Sequence, residues 1–160
     1  MARSFVDEIQ AAYLEHRQQL YTYALSITHN REHAEDAIHT AFAAILRRGK
    51  APRELRPYIF RSVRNAALDA LKASSNGHIH TSLFEDESAP DPSVTILIQE
   101  ALAKLSDHER EAIVMKIYSG LTLKEIAAAH DVSINTSASW YRRGLEKLRG
   151  ILEEVPHERD

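Results

Sequence analysis

Three polar signals at fixed offsets constrain this chain more than anything else in it. Ser106-x-x-Glu109 and Thr122-x-x-Glu125 are capping boxes, in which a hydroxyl and a carboxylate satisfy the free amides of a helix start. Gly120 falls just before the second box, where a helix ending in the left-handed conformation needs glycine. Asp131-Val132-Ser133 then forms a tight turn, with Ser133 as the cap of the last helix. This order predicts two short helices joined by a turn over Leu121–Arg149. Ile126, Ala127, Val132, Ile134, Tyr141, Leu145 and Leu148 are the apolar positions expected to hold them together, with small Ala127 at a close crossing. Upstream, Ser93 is expected to cap a helix over Ile96–Lys104.

A helix-turn-helix places its second helix in the major groove, with early residues at base edges. The candidates are Asn135, Thr136, Ser139 and Trp140, with Arg142 and Arg143 near phosphates. No Lys or Arg stands between Ser133 and Tyr141, so the phosphate attraction that supplies most affinity starts only at Arg142. The competing reading is a structural hairpin with a solvated face.

The N-terminal part reads as three helices. Phe5, Ile9, Ala12, Tyr13, Leu20, Tyr23, Ala24 and Ile27 recur near helical spacing. Ala34, Ala37, Ile38, Ala41, Phe42, Ile45 and Leu46 form an apolar stripe, with Asn30 as N-cap and Gly49 and Pro52 at the end. A third helix has Pro57 in its first turn and continues through Ile59, Val63, Ala66, Ala67, Ala70 and Leu71. Five glycines and five prolines in 160 residues favour helices over a sandwich or barrel.

Charge divides the chain where periodicity does. Residues 51–76 carry Arg53, Arg56, Arg61, Arg64 and Lys72 against Glu54 and Asp69. Residues 77–95 carry Glu85, Asp86, Glu87 and Asp91 with no Lys or Arg, amid Gly, Ser and Pro. That stretch reads as a linker, giving domains at 1–76 and 94–153 joined by a flexible segment at 77–93. The basic helix interleaves Tyr58 and Phe60, a combination suited to unpaired DNA, where bases stack on rings and guanidinium groups meet phosphates. Its bland alternative is a solvated face with Phe60 in the core.

Other chemistries find little support. The chain has no cysteine, hence no disulfide framework and no thiolate metal site. His29, His33 and Asp36 have ligand-like spacing, but a helix start falling between the histidines separates them, and no metal or cofactor is expected. Glu35 and Asp36 are neighbours about 100° apart on a helix, which suits a protein contact better than paired acid-base work. The N-terminus lacks the apolar core of a signal peptide, and no apolar run approaches the ~18 residues of a membrane span. These features suit a cytoplasmic protein without membrane insertion.

Three stretches in order, "REHAEDAIHTAFAAILRR", "LRPYIFRSVRNAALDALK" and "LSDHEREAIVMKIYSGLTLKEIAAAHDVSINTSASWYRRGLEKLR", resemble the extracytoplasmic-function (ECF) class of bacterial sigma factors, in the sigma-70 family. The first two resemble region 2 and the third region 4. The resemblance implies an all-α protein of two small helical domains. It implies a transcription initiation factor, not an enzyme, that binds core RNA polymerase and directs it to promoters. Ala34, Glu35, Asp36 and His39 would dock on the β′ clamp helices, and the β subunit would be a further contact. Arg53, Tyr58, Arg61, Arg64 and Asn65 would serve the −10 element, with the loop 48–53 reading a flipped base. Asn135, Thr136, Ser139, Trp140, Arg142 and Arg143 would serve the −35 element. An anti-sigma factor would be a regulatory partner. His39 stands where the family usually has Gln, Tyr58 where it has Trp, and Trp140 where it has Arg. The alternative reading is a sigma-like adaptor that binds an anti-sigma protein without promoter recognition. It would have no use for the basic face at residues 51–76.

Overall fold

In the computed structural model, residues 3–73 and 92–154 are described. Among them are seven α-helices and no strand. Helices α1 (Phe5–Thr28), α2 (Arg31–Arg48) and α3 (Leu55–Ala73) form the N-terminal unit. Helices α4 (Pro92–Ala103), α5 (Asp107–Ile113), α6 (Leu123–His130) and α7 (Ile134–Glu153) form the C-terminal one. The acidic residues of the expected linker lie outside the described residues.

Local chemistry sets the helix ends. Asn30 accepts from the His33 amide at 3.0 Å and opens α2, while Gly49, at φ 70°, closes it. Both capping boxes form, at Ser106–Glu109 and Thr122–Glu125. Ser133 caps α7 through the Thr136 amide at 3.2 Å. Asp131 takes the left-handed conformation of the turn, φ 55°, which a short polar side chain tolerates.

Two helix ends differ from expectation. Ser93 is not the cap of α4 but lies inside it, because the helix starts at Pro92, a residue whose fixed φ suits the first helical position. Helix α5 does not run unbroken to Gly120. It passes at Val114–Tyr118 into a π turn, in which the Ser119 amide reaches back to the Val114 carbonyl at 3.1 Å. Gly120, at φ 70°, then ends the segment as expected, and the Leu121 amide closes on the Met115 carbonyl at 3.0 Å.

The apolar stripes of α1, α2 and α3 meet in a core of Ile9, Leu20, Tyr23, Ile38, Phe42, Ile45, Ile59, Phe60 and Val63. This core does not stop at the domain boundary. It continues into Leu102, Leu105, Ile113, Met115, Leu121 and Ile126. The reason lies in α3, which packs on α6, and in α1, which packs on α5 and the π turn as well as on α2 and α3. Thr22, Ser26 and Thr28 are polar, yet all three are buried. Ser26 and Thr28 bond back to the Tyr23 and Ala24 carbonyls, at 2.6 and 3.0 Å, which satisfies two hydroxyls inside a packed interior.

The face by which α7 packs also differs from the expected one. Ile134 is 50% exposed and Leu145 37%, so neither seals the hairpin. Ser137 and Gly144 are the buried residues of α7 instead. The Ser137 hydroxyl bonds the Leu123 carbonyl of α6 at 2.8 Å. At Gly144 a Cβ would stand 2.9 Å from Cγ1 of Ile113 and 3.3 Å from the Glu109 carbonyl oxygen. Close approach of α7 to α5 therefore selects glycine there, over the helix propensity of alanine.

Candidate nucleic-acid and polymerase interfaces

The outward face of α2 is built by the phase of its stripe. Ala34, Ala37, Ile38, Ala41 and Phe42 point inward, and this turns Glu35, Asp36, His39 and Thr40 to solvent. Ala34 is fully buried, so of the four residues expected at the polymerase contact it supports the surface from beneath rather than presenting it. Beside this face lies a cleft of about 380 Å³ lined by Tyr13, Arg17, Tyr21, Glu35 and His39. It offers mixed charge beside aromatic surface.

The basic face of α3 is in a different state. Phe60 is 1% exposed and packs on Tyr23 with ring centroids 5.5 Å apart, so it belongs to the core and not to a stacking platform. Tyr58 is half-buried; its hydroxyl accepts from Arg48 Nη1 at 2.9 Å, and the Arg48 guanidinium stands 5.3 Å from its ring centroid. Arg53 and Asn65 are exposed.

The three arginines of α3 face the C-terminal unit. Arg56 makes a two-pronged pair with Glu125, Nε to Oε2 at 2.8 Å and Nη2 to Oε1 at 2.6 Å, and also donates to the Gly120 carbonyl at 3.2 Å. Arg61 stands 4.0 Å from Asp131, an exposed and loose pair. Arg64 donates to Oε1 of the buried Glu111 at 3.0 Å, and Tyr23 donates to the same oxygen at 2.8 Å. A cleft of about 540 Å³ between Arg53, Tyr58 and Arg61 on one side and Lys124 and Ala128 on the other is what remains open.

These contacts set the ionisation of their members. Burial pushes the Tyr23 phenol well above its ordinary range, and the Glu111 carboxylate beside it adds to the effect. Burial also pushes Glu111 up, but His130, Arg64 and the Tyr23 hydroxyl outweigh it, so this carboxyl is held below the usual range. The bond from Arg56 lowers Glu125, with the Thr122 amide assisting.

On α7, Asn135, Arg142 and Arg143 are exposed, whereas Thr136 and Ser139 are half-buried. Trp140 does not project freely. Its ring stacks on His108 at 4.3 Å, 5° from parallel, and meets His130 edge-on at 5.3 Å. Lys147 turns back to the buried Glu109, 2.7 Å from Oε1.

His29 sits in the left-handed C-cap of α1 and Asn30 in the N-cap of α2, so the helix boundary does separate His29 from His33 and Asp36. The structure brings together other groups that sequence reasoning passed over: Tyr23, Glu111, Glu125, His108 and His130. Glu125 was legible only as a capping residue, and it serves as cap and as partner of Arg56 at once. Glu111 closes the charged stretch Asp107–Arg110 just before the apolar run Ala112–Met115, and no local pattern marks it as buried.

Comparison with known proteins agrees with this architecture. The models of sigma-70 region 2 and of sigma-70 region 4 match residues 12–76 and 95–148, and together span most of the chain. The chain is 28% identical over 160 residues to the RNA polymerase sigma factor CarQ of Myxococcus xanthus, covering 93% of this chain and 91% of that one. It is 26% identical to the ECF RNA polymerase sigma factor SigL of Mycobacterium tuberculosis (strain ATCC 25618 / H37Rv), covering 92% and 90%. Among solved structures it is similar to the sigma factor RpoE of Bartonella quintana in complex with the anti-sigma factor NepR, with a TM-score of 0.73 at 20% identity over 93% of this chain and 99% of that one. It is also similar to CnrH in complex with the cytosolic domain of CnrY, TM-score 0.72 at 19% identity, covering 92% and 89%.

The fold and its paired basic and acidic faces thus define a two-domain helical transcription factor. The chain belongs to the sigma-70 family, in its ECF class. It is a transcription initiation factor and not an enzyme, with core RNA polymerase and promoter DNA as its partners. No helix of the described residues is long and apolar enough to cross a membrane.

Proposed function

We propose that the structure is the resting form of this factor, closed over its own −10 face, and that polymerase binding opens it. One observation carries this reading: three arginines of α3, Arg56, Arg61 and Arg64, each face an acid of the C-terminal unit, Glu125, Asp131 and Glu111. Carboxylates there occupy the guanidinium groups that phosphates would otherwise meet.

In this reading Glu35, Asp36 and His39 dock on the β′ clamp helices, with Ala34 fixing their phase. Arg53, Tyr58, Arg61, Arg64 and Asn65 engage the −10 element once α5 and α6 withdraw. Asn135, Thr136, Ser139, Trp140, Arg142 and Arg143 engage the −35 element, with Trp140 packing against sugar or base and the arginines on phosphates. Each DNA contact is weak alone. Polymerase holds both units on one promoter, and the second contact then forms at high effective concentration. An anti-sigma factor that grips both units would prolong the closed form. The units divide at 1–76 and 94–153, and the protein works in the cytoplasm.

Transcription in vitro with core polymerase over a promoter library is the direct test. The expected result is initiation at promoters sharing −10 and −35 elements. Transcript starts that are the same with and without the protein would overturn promoter recognition and leave the adaptor reading.

A further inference from the structure

Beside the domain interface, three ligand-type atoms converge that neither DNA nor polymerase binding uses. His108 and Glu111 stand one turn apart on α5, and His130 ends α6. Each offers one ligand atom, and those atoms all lie within 4.8 Å of one another. His108 Nδ1 is 4.0 Å from Glu111 Oε2, and His130 Nε2 is 3.5 Å from Oε1. We propose that His108, Glu111 and His130 form a mononuclear site for a divalent first-row transition ion of the zinc type.

The state of His130 carries the argument. Its side chain is 1% exposed. Nδ1 lies 3.1 Å from the Ile126 carbonyl oxygen, which can only accept, so Nδ1 holds a hydrogen, and in the neutral ring Nε2 is the lone pair. That Nε2 is buried without a hydrogen-bond partner and aims at the carboxylate. A lone pair facing an oxygen anion at this distance needs a cation between them. A proton would serve two of the atoms; the third, His108 Nδ1, is what a metal adds. A backbone carbonyl orienting the distal nitrogen is the usual second contact of a ligating histidine.

Glu111 is prepared in the same way. Tyr23 and Arg64 both donate to Oε1, and Oε2 is the oxygen turned toward His108. Arg64 and the ion would share one carboxylate, which weakens binding relative to an isolated site. Metal–nitrogen and metal–oxygen bonds of about 2.0–2.2 Å require His108 to move inward by about 1 Å. Its side chain is 52% exposed. The Trp140 stack does not compete, because the nitrogen lone pair lies in the imidazole plane and Trp140 covers the ring face. Two imidazoles and one carboxylate suit zinc, cobalt and nickel, with the remaining position open to water.

The single tryptophan is a built-in reporter. The full chain is titrated with Co²⁺, following Trp140 quenching and visible ligand-field absorption, and Zn²⁺ is then added as competitor. The expected result is saturation at one equivalent, reversal by Zn²⁺, and at least about tenfold weaker binding in His108→Ala and His130→Ala. His108→Ala removes a half-exposed side chain and keeps the test meaningful should His130→Ala unfold. A His29→Ala/His33→Ala control binds as the parent does. Absence of a saturable one-to-one signal, or a signal kept in His108→Ala, overturns the site. The readout needs neither polymerase nor promoter, so its failure is distinct from failure of the promoter-binding reading.

Discussion

Helices α2 and α3 lie side by side in the same unit, yet the rest of the chain treats their outer faces differently. On α2, Glu35, Asp36 and His39 stay exposed beside an open cleft. On α3, the guanidinium groups of Arg56 and Arg64 are held by carboxylates of the C-terminal unit. The two faces carry opposite charge, so an acidic partner surface elsewhere in the chain can cover only one of them. A factor arranged this way presents its protein-binding face while withholding its nucleic-acid face, which favours polymerase before promoter.

The strongest way to break this comparison is to remove the open face. Glu35→Lys with Asp36→Lys should weaken binding to core polymerase by at least about tenfold and leave helicity unchanged. Equal retention of variant and parent on immobilised core enzyme would move the docking face elsewhere. Next, uncovering the closed face should strengthen DNA binding by the free protein. Arg56→Ala with Glu125→Gln removes a paired contact, keeps a capping-box side chain at 125, and touches no assigned DNA residue. The pair is partly exposed, worth about 1 kcal/mol, so affinity for a −10 fork DNA should rise about fivefold. No rise in a fluorescence titration would mean that closure does not compete with DNA.

Smaller effects sharpen the picture. Gly144→Ala gains about 1 kcal/mol of helix propensity but forces Ile113 aside, an overpacking cost of about 1–3 kcal/mol. The variant should be no more stable than the parent, with a melting temperature equal or lower; a clear rise would show that α7 and α5 are not in close contact. Smallest is the acid response of Glu125. Its folded-state pKa lies below the ordinary value, so its contribution is present above the unfolded value of about 4.3 and is lost as pH falls through the folded one. Between pH 6 and 3, the parent should lose a closure-reporting signal more than Glu125→Gln does. Identical profiles would show that the pair adds nothing to closure.

Much of the fold was legible because its determinants are local. Asn30, Ser106, Thr122 and Ser133 cap helices through amides three residues on, a reach that a short window of sequence contains. The stripe on α2 is legible from Ala34 to Ile45, since that helix has one wet side and one dry side; only its last expected member, Leu46, is exposed. Reading failed where a helix is dry on more than one side. Thr22, Ser26 and Thr28 are polar residues of α1 but are buried. Ile134 and Leu145 keep the pattern of α7 but stay exposed, because Ser137 and Gly144 allow the closer approach.

The candidate sites divide along the same line. Residue types and their order along the chain determined the helices, the turn, the acidic face of α2 and the basic face of α3. Only the tertiary structure decided that Tyr23 meets Glu111 across 88 residues, Arg56 meets Glu125 across 69 and Arg64 meets Glu111 across 47. Helix caps form within one turn of chain, so the identities of near neighbours specify them. Ion pairs between distant segments form only when packed helices bring those segments within hydrogen-bond reach, and His130 gains its place beside Glu111 by the same packing.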